Sequence, residues 1–149
     1  MASFAEMSAI CFGHRSRTAA RAVTRAANQR LKPLGLNISQ FILLGALSEN
    51  EDRSIAAMAE AVGLDASALL RNLKLLEERG LIAGEGGRGR RGRRFAITQA
   101  GLDLVIAGVP IWAKAQQDLA NALVGSPETT RAALVDLEQA ALALERAER

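Results

Sequence analysis

At 149 residues, 49% of them apolar, the chain can bury one core, with or without a helical extension, and disorder throughout is excluded. Aromatics are 3%, with no tyrosine and one tryptophan, too few to build a stacking surface for single-stranded bases. The formal charge of +3 is small but uneven: Arg15, Arg17, Arg21, Arg25, Arg30 and Lys32 follow one another with no acid between them, and Arg88, Arg90, Arg91, Arg93 and Arg94 crowd a glycine-rich stretch.

Residues 4 to about 32 are predicted as one long helix, with Phe12, Ala19, Val23, Ala27 and Leu31 at helical spacing and arginines opposite. Lys32-Pro33-Leu34-Gly35 ends it. Ser39 is the expected N-cap of a second helix carrying Phe41, Ile42, Leu43, Leu44 and Leu47. After the polar break Asn50-Glu51-Asp52, Ser54 caps a short helix, Gly63 makes a tight turn, and Asp65 caps a third helix that runs to Arg79. Within that helix Leu69, Leu73 and Leu76 form a stripe to bury, and Gly80 stops it. Two short helices joined by a glycine turn make a helix-turn-helix pattern.

Leu81-Ile82-Ala83, the Gly/Arg stretch and Arg93-Arg94-Phe95-Ala96-Ile97 are predicted as a β-hairpin with a long basic loop, since Phe95 and Ile97 alternate with Arg94 and Ala96. Thr98 caps the next helix, to about Val124, with Gly108 and Pro110 expected to interrupt it by a kink near Val109. Ser126-Pro127-Glu128 starts a last helix with Leu134, Leu137, Ala141 and Leu144 on one face.

The fold class is therefore mainly α with a small β-hairpin wing. A duplex major groove admits one helix, and a neighbouring hairpin reaches the backbone or minor groove. With the leucine stripe turned inward, Ser67, Ala68, Leu70, Arg71, Asn72 and Lys74 lie on or beside the outer face. Ser67 and Arg71 are placed for base edges or phosphates, with Arg71 able to fork onto guanine, and Asn72 and Lys74 are placed for phosphate. Leu70 is out of place on a wet surface; contact with a thymine methyl explains it, and so does a different rotation of the helix. In the hairpin, Arg90 and Arg91 sit at the tip for the minor groove, with Arg88 beside them and Arg93 toward phosphate.

These segments carry a family likeness. Leu34-Gly-Leu-Asn-Ile-Ser-Gln-Phe41, Ser54-Ile-Ala-Ala-Met-Ala-Glu-Ala-Val-Gly-Leu-Asp65, Leu69-Leu-Arg-Asn-Leu-Lys-Leu-Leu-Glu77, Arg79-Gly-Leu-Ile82 and Ile97-Thr-Gln-Ala-Gly101 together resemble the MarR family of bacterial regulators. The resemblance spans roughly Cys11 to Leu123. It implies a homodimer of winged helix-turn-helix subunits, with residues 1–34 and 102–149 as dimerisation helices and residues 35–101 reading double-stranded DNA at a pseudo-palindrome. It also implies a repressor, in the bacterial cytoplasm on the nucleoid, released by a small aromatic or anionic effector. The family wing usually has Asp before Arg, where this chain has Gly89 before Arg90, which implies a looser wing. Ala68 stands where the family often has a hydroxyl.

For sensing, Cys11 and His14 fall three apart on the first predicted helix. Thiol oxidation at Cys11 is one reading, with His14 or Arg15 available to lower its pKa. A metal shared by two subunits is another, and a buried, inert Cys11 the third. An effector pocket beside His14, Arg15, Phe41 and Trp112 is compatible with the last. No cofactor is expected. A non-specific architectural nucleic-acid binder is the competing class, separable by competition with random duplex. Catalysis has little to build on: one histidine, one cysteine, and no GxSxG or phosphate-loop pattern. The lone cysteine fits a reducing compartment, no apolar run reaches the ~18 residues of a membrane span, and the first residues do not resemble a secretory signal.

Overall fold

The structure, a computed structural model, describes residues 3–49, 54–86 and 94–148. They fold as two compact units, one through Trp112 and one from Ala113. Along the chain run α1 (Phe4–Ile10), α2 (Phe12–Leu31), a 3-10 turn (Lys32–Leu34), α3 (Ile38–Ser48), α4 (Ile55–Val62), α5 (Ala66–Glu78), β1 (Ile82–Glu85), β2 (Arg94–Ile97), α6 (Gln99–Ala122) and α7 (Pro127–Ala147).

The single N-terminal helix expected from the sequence is two helices. Cys11 leaves the helical region (φ −76°, ψ 111°), and its Sγ accepts the backbone N–H of His14 at 3.4 Å, so it ends α1 and caps α2. Of the apolar positions expected to form a stripe, Leu31 is buried, whereas Phe12 and Val23 are exposed. Pro33 in the 3-10 turn and Gly35, left-handed at φ 64°, reverse the chain into α3.

The cap of α3 is Asn37, not Ser39. Asn37 Oδ1 accepts from Gln40 N at 2.9 Å, and Gln40 Oε1 accepts from Asn37 N at 3.2 Å, a reciprocal capping box. Asn28 of α2 adds an acceptor for Ile38 N at 2.8 Å, which ties the two helices at that corner.

The core lies in the first unit, where Leu31, Leu36, Phe41, Leu43, Leu44 and Leu47 meet Met58, Ala59, Leu69, Leu73, Leu76, Leu81 and Ile82. Each buried leucine contributes roughly 1.5–3 kcal/mol. Two glycines of α6 let it approach closely. A Cβ at Gly101 would overlap the Leu81 carbonyl oxygen, and one at Gly108 would overlap the Phe41 ring.

The hairpin pairs β1 and β2 antiparallel, Ile82 with Ile97 and Gly84 with Phe95. As the alternation predicts, Phe95 and Ile97 are half-buried while Arg94 and Ala96 face solvent. α6 is a single helix that contains Gly108 and Pro110, so the residues expected to kink it near Val109 do not end it. Pro110 removes one backbone donor, the helical partner of the Ile106 carbonyl, and both residues are exposed. α7 starts as expected, with Ser126 as its cap and Pro127 at its first position, and it buries no residue. No helix among the described residues is long and apolar enough to cross a membrane.

Candidate nucleic-acid interface

Helices α4 and α5 meet through a turn set by capping. Ser54 Oγ accepts from Ala57 N at 3.1 Å to start α4, and Gly63, left-handed at φ 68°, closes it by donating to the Ala59 and Glu60 carbonyls. Asp65 Oδ1 accepts from Ala68 N at 2.7 Å to start α5. The stripe Leu69, Leu73 and Leu76 is then driven inward, at 0%, 1% and 0% exposure.

That rotation settles the other side of the helix. Ser67, Leu70, Arg71 and Lys74 are exposed, and Ala68 and Asn72 are half-buried. Asn72 turns its amide back along the helix, donating to the Ala68 carbonyl at 2.9 Å, and so differs from the outward cations Arg71 and Lys74. The Ser67 hydroxyl donates to Asp65 Oδ1 at 2.6 Å. While that bond holds, Ser67 offers only lone pairs outward, which suits an amine on a base edge and not a phosphate. Ser67, the Ala68 amide and the Arg71 charge together hold the Asp65 carboxyl below the usual aspartate range, with the Ser67 bond the largest effect. Lys74 pairs with Glu78 at 3.7 Å in full solvent, a weak and exchangeable contact.

The base of the hairpin is fixed to α5 on both strands. Glu77 Oε1 accepts from Gly84 N at 3.1 Å. On the return side, Thr98 Oγ1 donates to the Gly80 carbonyl at 2.7 Å, Thr98 N donates to the Leu81 carbonyl at 3.1 Å, and Gly101 N donates to Thr98 Oγ1 at 3.2 Å. Arg79 holds the far end of α5 to the turn after α2, donating to the Gly35 carbonyl at 2.7 Å. These anchors, Glu77, Arg79 and Thr98, were not singled out from the sequence as site residues, because each acts on a backbone partner that only the fold brings near. The wing arginines Arg88, Arg90, Arg91 and Arg93, with Gly89, lie outside the described residues.

The sensing candidates are spread through the first unit. Cys11 is exposed at the α1–α2 junction, so the reading of it as a packed apolar side chain does not hold for the single chain. It meets His14 only through the cap, and the His14 ring stands edge-on to Phe4, 6.2 Å between centroids. Arg15 and Trp112 are exposed, while Phe41 is a core residue packed against Gly108.

Residues 34–92 match the model of the MarR family. Over 90% of this chain and 97% of the other, the fold superposes on the transcriptional regulator MosR of M. tuberculosis with a TM-score of 0.80 and 29% identity. The same regulator in complex with DNA matches at 0.79 and 28%, over 90% of this chain and 98% of that one. BpsR of Bordetella bronchiseptica, whose DNA binding is regulated by 6-hydroxynicotinic acid, matches at 0.75 and 22%, over 95% of this chain and 97% of BpsR.

Proposed function

From the premise that this chain belongs to the MarR family of winged-helix DNA-binding transcriptional regulators, and is not an enzyme, we propose that it acts as a homodimeric repressor on a pseudo-palindromic operator. The observation that carries the reading is the two-sided α5, with Leu69, Leu73 and Leu76 buried and Ser67, Arg71 and Lys74 offered outward beside an anchored hairpin. Residues 35–101 read the duplex, one major groove per subunit, with half-sites about 10 base pairs apart. The wing arginines Arg88, Arg90, Arg91 and Arg93 supply charge toward phosphate and the minor groove.

The helices outside that segment, in residues 1–34 and 102–149, supply the dimer contacts. Phe4, Ile10 and Phe12 in the first unit, and Leu134, Val135 and Leu144 in the second, are large apolar side chains left exposed by the single chain, and a second copy would cover such surface. Release is by a small aromatic or anionic effector, with His14, Arg15, Phe41 and Trp112 as candidate contacts, and the work is done in the bacterial cytoplasm on the nucleoid. Selection of bound duplexes from a random pool, followed by sequencing, tests the whole reading. A two-fold symmetric motif is expected; binding that random duplex competes away in full would make the protein a non-specific architectural binder instead.

One observation favours a second switch, thiol oxidation. The exposed Cys11 Sγ is itself the acceptor that caps α2, so modifying it acts on a helix end. Cys11→Ser keeps an acceptor at the cap and removes the thiol. Peroxide is expected to release the wild type and spare the variant; equal release of both would end this reading.

A further inference from the structure

An open depression of about 360 Å³ lies beside the outer face of α5, lined by Ile55 of α4, Leu70, Lys74 and Glu77 of α5, and Phe95 of β2. Its floor is apolar and its charged groups are at the edge. Glu77 is turned to the hairpin backbone through Gly84 N, and Lys74 to Glu78. Leu70 remains 52% exposed at the centre of a face whose other outward side chains, Ser67, Arg71 and Lys74, are polar. The rotation of α5 is fixed by its three buried leucines, so Leu70 has no alternative place in the core. A shifted helix, the competing explanation of its exposure, is thereby removed.

We infer that Leu70 is a specificity-determining residue that reads the C5-methyl of thymine in the major groove, with Ile55 and Phe95 continuing the apolar floor beneath the same strand. The inference rests on the DNA-reading role proposed above and deepens it. Among the groups that base edges present in the major groove, the thymine methyl is the large apolar one, set among hydrogen-bond donors and acceptors. Against cytosine the same leucine would meet a C5–H in place of the methyl and lose that apolar contact, so it favours thymine. Charge complementarity points to the same occupant. Arg71 and Lys74 are the outward cations beside the apolar spot. Glu77 is turned to the hairpin backbone, and Glu78 holds Lys74 only through an exposed, exchangeable pair. That balance suits a polyanion that carries a methyl group more than an uncharged ligand. The depression is larger than one methyl, which leaves room for the apolar face of a sugar beside the base.

The test uses the full chain and the duplex it selects from a random pool. Each thymine of that duplex is replaced in turn by deoxyuridine, which removes the methyl and keeps every hydrogen-bonding group. One position in each half-site is expected to lose affinity about fourfold, the equivalent of one methyl-sized group buried, and about fifteenfold when both half-sites are changed. In Leu70→Ala that sensitivity is expected to vanish, while the duplex is still preferred over random DNA. Because Leu70 lies outside the core, the variant is expected to melt with the wild type, which separates lost readout from lost folding. A flat deoxyuridine scan, a selected motif without thymine, or the same sensitive position in Leu70→Ala would each overturn the inference and leave the depression to sugar or to a small molecule. Failure to select any motif would instead overturn the DNA-reading proposal itself.

Discussion

The segment through Trp112 and the segment from Ala113 onward are both largely helical, yet they treat their apolar residues in opposite ways. The first encloses leucines from α2, α3 and α5 around Phe41 and Met58; the second, among its described residues, buries none, and leaves Leu134 and Leu144 open. A helix with no buried face draws little stability from its own chain, because isolated helical propensity is marginal in water. The contrast teaches that the first segment carries a core of its own while the second does not. The exposed leucines of the second, with Phe4, Ile10 and Phe12 of the first, are the surface that the proposed homodimer would cover.

The largest effect expected from this contrast is in the first segment. Leu73→Ala should lower unfolding free energy by about 2–5 kcal/mol in urea titrations, through lost burial and an unfilled cavity. On the opposite side of the same helix, Arg71→Ala should leave the urea midpoint unchanged and cost about 1–3 kcal/mol on the selected duplex, with relaxed preference at one base pair. An equal loss on random DNA would assign Arg71 to phosphate.

A smaller effect follows acid. The Asp65 carboxyl is held below its ordinary value in the folded chain, so its contribution is fully present above the unfolded aspartate pKa, about 3.9, and is lost as pH falls through the lower folded value. Thermal melts between neutral pH and pH 3 should show that loss in the wild type, and Asp65→Asn, which keeps a capping oxygen without titrating, should lack that part of the pH dependence. The smallest change in stability belongs to the second segment. Leu134→Glu should scarcely alter the melting of the first segment while shifting the sedimentation mass toward that of a single chain. A large drop in the melting of the first segment, or no change of mass, would break the contrast.

Much of this architecture was legible because caps are local. Ser54, Asp65 and Ser126-Pro127 each announce a helix within a few residues, and the spacing of Leu69, Leu73 and Leu76 fixes which side of α5 faces in. Where reading failed, a local rule lost to a neighbour. Ser39 was the wrong cap because the pair Asn37 and Gln40, three apart, satisfies two backbone donors at once. The break at Cys11 was missed because a thiol is a poor cap by type and the apolar periodicity runs straight across it. Pro110 lies inside α6 without ending it, because one proline takes a single backbone donor from a helix of 24 residues. Thr98 is legible as a cap, accepting from Gly101 N, but its bond to the Gly80 carbonyl, like those of Glu77 and Arg79, is to a backbone atom that only folding brings near.

The hairpin stem, held at Gly84 by Glu77 and at Thr98 by the carbonyls after α5, has a mutational consequence. One foot is held to α5 and the other to the segment just after it. On the DNA-reading role proposed above, substitutions between the feet would therefore alter salt tolerance and flanking contacts before they alter what α5 reads.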